Sequence, residues 1–163
     1  MSALRLSRLA LVLTVALFFT LVAESNISDY GSNWAFVQHV LSMDTTFKSP
    51  NLMWRAITNE TVQTAIYVLI IAWQIMTALL LWIGAFRMLA ARRTDAARFA
   101  KAKNPAILGL TAGFLLYALG FLVIAGEWFV MWQSKEWNAQ NTSAIFVLFI
   151  GIALLHASGR EAD

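Results

Sequence analysis

Residues 106–131 read AILGLTAGFLLYALGFLVIAGEWFVM, and Glu127 carries the only formal charge in the stretch. A helix needs about 20 apolar residues, at roughly 1.5 Å of rise each, to cross a bilayer core, and this stretch exceeds that length. It therefore reads as a membrane span, and it decides the class of the whole chain. Asn104 and Pro105 stand just ahead of it, where Asn caps a helix and Pro occupies the first turn without losing a hydrogen bond.

Three further segments fit the same solvent. Residues 6–23 and 62–86 are long enough by themselves. Residues 142–157 reach the length only when the polar flanks Thr142, Ser143 and His156 are counted. Of the 163 residues 60% are hydrophobic and 13% charged, and the mean hydropathy is +0.66, which places the chain outside the range of soluble domains. The expected fold is an all-α membrane protein of four transmembrane helices forming one domain over 1–163. An external first loop spans 24–61, a cytoplasmic loop 88–104 and a short external loop 132–141.

Charge placement orients this arrangement. Arg5 and Arg8 precede the first span, and Arg87, Arg92, Arg93, Arg98, Lys101 and Lys103 lie between the second and third. The other side carries Lys48, Arg55 and Lys135 against six acids, so the positive-inside rule predicts cytoplasmic termini. The first span also resembles a secretory signal. Leu21 is a poor small residue for cleavage near Ala23, however, and the apolar run is long, so a retained anchor is expected. The absence of Cys removes disulfides and thiolate sites.

The external loop is not low in complexity. Asp29-Tyr30-Gly31-Ser32-Asn33 reads as a turn and cap. Trp34, Phe36, Val37, Val40 and Leu41 then predict a short interfacial helix, broken near Pro50, with a further turn over 52–57. The loop 88–103 has helix-compatible spacing and a basic face.

Candidate functional residues follow from polar groups in apolar surroundings. Steps of seven from Glu127 give Gly120, Gly113 and Ala106, so the carboxylate ends a small-residue stripe and is expected to face the bundle. Gly109 and Gly113 form a small-xxx-small pair suited to close helix packing. Glu24, at a similar depth, could bind a cation or share a proton with Glu127, because close like charges raise one pKa. The preferred reading is a structural clasp, in which Glu127 accepts hydrogen bonds from the external loop or pairs with Arg55, Lys48 or Lys135. Gln74 lies deeper and suits an interhelical hydrogen bond. Trp128 and Trp132, with Trp34, Trp54 and Trp137, are either an aromatic cage or an interfacial belt. His39 is external and His156 cytoplasmic, too far apart to ligate one haem; His39 near Asp44 could form a pH-sensitive surface. No spacing points to a metal, another cofactor or nucleic acid.

The string from Ile27 to Phe47, together with Gly126-Glu127-Trp128-Phe129 and Met131-Trp132-Gln133-Ser134, resembles a bacterial family of predicted small integral membrane proteins without an assigned function. The resemblance covers nearly the whole chain and implies an inner-membrane setting with four spans. It brings no activity, cofactor or catalytic residue. The expected role is therefore a non-enzymatic structural or accessory protein, in contact with the lipid bilayer and associating with itself or a larger membrane complex through the Gly-lined third span. A small transporter or cation pathway using Glu127 is the alternative, and a membrane redox or lipid-modifying enzyme the third.

Overall fold

The computed structural model describes residues 2–160. Its helices are α1 (Ala3–Ser28), α2 (Tyr30–Ser42), α3 (Glu60–Ala90), α4 (Ala96–Ala102), α5 (Asn104–Leu115, prolonged as a π-helix over Leu116–Trp128) and α6 (Gln140–Ser158). Short 3-10 turns lie at Met53–Arg55 and Met131–Gln133, and no strand occurs among the described residues. Four stretches are long and apolar enough to cross a membrane: Ala3–Ser28, Glu60–Ala90, Ala96–Trp128 and Gln140–Ser158. Each outruns the expected segment at one end or both. Helical hydrogen bonding continues past the apolar limit wherever the flanking residues have nothing better to bond to.

Local chemistry sets several of the starts. The Ser2 hydroxyl accepts from the Arg5 amide at 3.3 Å, the Asn59 side chain from Val62 at 3.1 Å and the Asp95 carboxylate from Arg98 at 2.8 Å. Asn104 differs from expectation. It is the first residue of α5 and makes no capping bond, although Pro105 does occupy the first turn. The cause is Lys103, whose helical backbone (φ −72°, ψ −19°) carries the chain almost directly from α4 into α5. Asp29 likewise makes no side-chain cap, and α2 begins at Tyr30, earlier than the turn motif suggested.

The four long helices form a ring: α1 packs on α3, α3 on α5, α5 on α6, and α6 returns to α1. Glycines set the closeness of the α3–α5 contact. A Cβ at Gly84 would overlap the backbone of Ala106, and one at Gly109 would stand 2.8 Å from Leu81 Cγ. At Gly113 it would lie 2.6 Å from Phe19 Cζ, so α1 also depends on a missing side chain. Gly109 and Gly113 are thus taken up inside the monomer, and the expected self-association surface on the third span is already occupied. Gly120 departs from the stripe, with open space around its Cα apart from Leu116 of its own helix.

The π segment explains that departure. Its wider turn, shown at its end by the Phe129 amide bonding the Ile124 carbonyl at 3.0 Å, breaks the α-helical phase on which steps of seven rely.

At the α4 end, basic side chains bind carbonyls. Arg5 Nη1 donates to Thr94 O at 2.7 Å, and its guanidinium lies 4.5 Å from the Phe99 ring centre. Arg8 Nε donates to His156 O at 3.0 Å, Lys103 Nζ donates to Gly159 O at 2.7 Å, and the Ser7 hydroxyl meets His156 Nε2 at 2.8 Å. Cations at the last carbonyls of α6 satisfy groups that the helix leaves unbonded and oppose its dipole.

Candidate functional site at the capped end of the bundle

The loop between α1 and α3 folds over the opposite end as a cap. One backbone tie closes it on itself and one side-chain tie fixes it to α3: Ile57 N donates to Leu41 O at 2.8 Å, and Gln63 Nε2 to Ile57 O at 2.7 Å. A second set fixes it to the chain beyond α5. The Thr45 hydroxyl donates to Ser134 Oγ at 2.9 Å, Ser134 Oγ also accepts from Trp137 N at 2.9 Å, and Phe47 N donates to Gln133 Oε1 at 3.0 Å. Three non-glycine residues in this region, Met43, Lys48 and Val130, take left-handed backbone conformations with φ of 46–55°. For branched Val130 that conformation is costly and is held by surrounding contacts, since its side chain is buried beside Val37, Val40 and Phe129.

Beneath the cap lies a buried polar knot. Asn26 Nδ2 donates to Gln74 Oε1 at 2.7 Å, and the Tyr67 hydroxyl donates to Asn26 O at 3.1 Å. Gln74 and Tyr67 are nearly inaccessible, at 2% and 1% exposure. The Tyr67 ring packs 4.8 Å from Tyr30 and 6.1 Å from Trp34, which joins α2 to the knot. Gln74 thus makes an interhelical bond from α3 to α1. Asn26 and Tyr67 were absent from the sequence candidates. The apolar run ends at residue 23 and leaves Asn26 outside it, whereas α1 runs on to Ser28.

Glu127 does not face the bundle. It is exposed at the end of the π segment, and neither its carboxylate nor that of Glu24 forms a hydrogen bond or ion pair with any described residue. Glu24 is also exposed and lines a shallow groove between α1 and α3 with Thr20, Ile75 and Trp82. The expected carboxylate pair is therefore not assembled, because the wide turns rotate Glu127 away from the Gly109 and Gly113 line. Arg55, an expected partner of Glu127, instead donates through Nη1 to Trp128 O at 3.3 Å. Its guanidinium lies 4.6 Å from the Trp128 ring centre and 5.5 Å from that of Trp54, while Nε is buried with no acceptor.

The tryptophans are distributed rather than gathered into one cage. Trp54 meets Trp128 edge-on at 5.5 Å, Trp132 meets Phe47 at 5.8 Å, and Trp137 stacks on His39 at 4.6 Å. His39 Nδ1 also lies 2.7 Å from Asp44 Oδ2, so this imidazole is held on two sides.

Between α2, α3 and α5 is an apolar cavity of about 290 Å³, lined by Phe36, Val40, Ile66, Trp73, Gly120 and Phe129 among others. The π segment supplies one wall of it, from Leu116 through Ala125. The Trp73 indole N–H donates to Ala112 O at 3.0 Å, so the lining presents no free donor at that wall.

The model of the family described as predicted small integral membrane protein (DUF2165) matches residues 4–158. The chain belongs to that family. The match takes in the four spans, the cap and the Glu127 segment, and the family's function is unknown. No curated protein and no solved structure matches the chain.

Proposed function

We propose that the protein is a non-enzymatic structural or accessory component of a membrane assembly, set in the bacterial inner membrane with both termini cytoplasmic. The observation that carries this reading is the knot of Asn26, Gln74 and Tyr67. Its three side chains, from α1 and α3, are uncharged and bond within the knot, as stabilising contacts do, instead of facing an open site. The cap supports the same reading, because its ties to Gln133 and Ser134 fix a folded surface above the membrane-length helices. Its orientation rests on the basic residues gathered at the α4 end, including Arg5, Arg87 and Arg98.

A cation or proton pathway is the second reading, favoured by one feature: the Glu127 carboxylate is exposed and has no partner among the described residues. One experiment separates them. Native mass spectrometry after gentle extraction should show a recurring stoichiometric subunit or a homo-oligomer. A monomer that conducts cations in liposomes, with the flux abolished by Glu127→Gln, would replace the accessory reading with the pathway.

A further inference from the structure

Two features at the capped end meet. The apolar cavity is bounded on its open side by Leu69, Leu115, Leu119 and Ile124, all exposed, so it is a groove that faces the bilayer. Phe129, which lines this groove, directly follows Trp128, whose ring and carbonyl hold the Arg55 guanidinium. The Arg55 guanidinium is thus held one residue along the chain from the lining of the apolar slot, at the end of the spans where headgroups lie. We propose that the groove holds one acyl chain of a membrane phospholipid, whose phosphate rests on Arg55.

Three arguments favour this occupant. In a bilayer, water does not fill an apolar slot, and an unfilled one forfeits dispersion contacts along its whole lining, so a lipid tail is the available filler. The slot covers only part of a span, from Ile66 to Trp73 on α3 and from Leu115 to Phe129 on α5, which suits a tail better than a partner helix of full membrane length. The rim supplies charge complementarity. Trp54 and Trp128 flank the guanidinium, and its 3.3 Å bond from Nη1 goes to a neutral carbonyl, so its charge is left to attract an anionic oxygen. Glu127, exposed one residue before Trp128, puts a carboxylate close in the chain to the residue that holds Arg55. A headgroup that carries an ammonium beside its phosphate suits that rim better than a net anion.

The test is native mass spectrometry of the full chain in detergent, titrated with phosphatidylethanolamine. The unaltered protein should retain one lipid. Arg55→Gln should weaken retention roughly tenfold or more, the size expected for loss of a charge-assisted hydrogen bond. Gly120→Leu should weaken it similarly, because Gly120 lines the slot and the space that its Cβ would enter is open. Lys101→Gln, at the far end, should leave binding unchanged. Diacylglycerol with the same chains, which lacks the phosphate, should bind the unaltered protein as weakly as the phospholipid binds Arg55→Gln. Equal retention by all variants, or diacylglycerol binding as tight as the phospholipid, overturns the proposal. Should Gly120→Leu melt early, the comparison of the two lipids on the unaltered chain still decides it.

Discussion

Gln74 and Thr77 stand on successive turns of α3, both buried, and their polar atoms meet opposite fates. Gln74 Oε1 accepts from Asn26, whereas the Thr77 hydroxyl is fully buried with no partner and its methyl group faces the Gly113 contact. Removing one member of a satisfied pair leaves the other unbonded; replacing an unsatisfied hydroxyl by a methyl group of the same shape removes a cost. Gln74→Leu should therefore lower stability in detergent by about 0.6–2 kcal/mol, the range for interhelical bonds in membranes, read as an earlier thermal melt. Thr77→Val should leave the melt unchanged or raise it. If both variants melt alike, the knot is not a stabilising contact. Gln74 could be picked out in the sequence because it is polar in an apolar span. Its partner could not, since Asn26 stands beyond the apolar run and only the extension of α1 brings it inside.

At the scale of the element, α5 changes character part-way along. Its α-helical half uses Gly109 and Gly113 to approach α3 and α1, and its π half turns Gly120 toward open space and Glu127 outward. Gly113→Ala should cost about 1–3 kcal/mol, because the Phe19 ring lies where the new methyl group would go. Gly120→Ala should be neutral or slightly stabilising, as nothing but Leu116 stands near. Equal melting of the two variants would contradict the change of phase at Leu116. The short α4 offers a pH test. The Arg98 backbone N–H holds the Asp95 carboxyl below the usual carboxylate range. A folded-state pKa below the unfolded one contributes stability above the ordinary carboxyl pKa and loses it as pH falls through the lowered value. Hydrogen exchange at the Arg98 amide, corrected for intrinsic rate, should thus accelerate only in acid, and Asp95→Ala should exchange fast at every pH. Helix phase is why the sequence pattern turns Glu127 inward and the structure does not: a step of seven assumes one turn geometry throughout, and no Pro stands in residues 106–128 to announce the widening.

At the scale of the molecule, the ring of four helices is closed at one end by the cap and at the other by cations on backbone carbonyls. Reporters fused to either terminus should both read as cytoplasmic; a periplasmic reading at the C-terminus would reverse the orientation drawn from the basic residues. Composition, apolar run length and charge bias were enough to establish a four-span helical membrane protein, because solvation by lipid acts on segments of about 20 residues and needs no knowledge of neighbours. The Gly109 and Gly113 pair was equally readable, since closely packed membrane helices favour residues without bulk. Which surface those glycines serve, where Glu127 points, and the meeting of Asn26 with Gln74 and of Arg55 with Trp128 were decided by the tertiary structure alone. Each depends on helix rotation and on residues far apart in the chain, and these are set by packing of the whole bundle rather than by any local pattern.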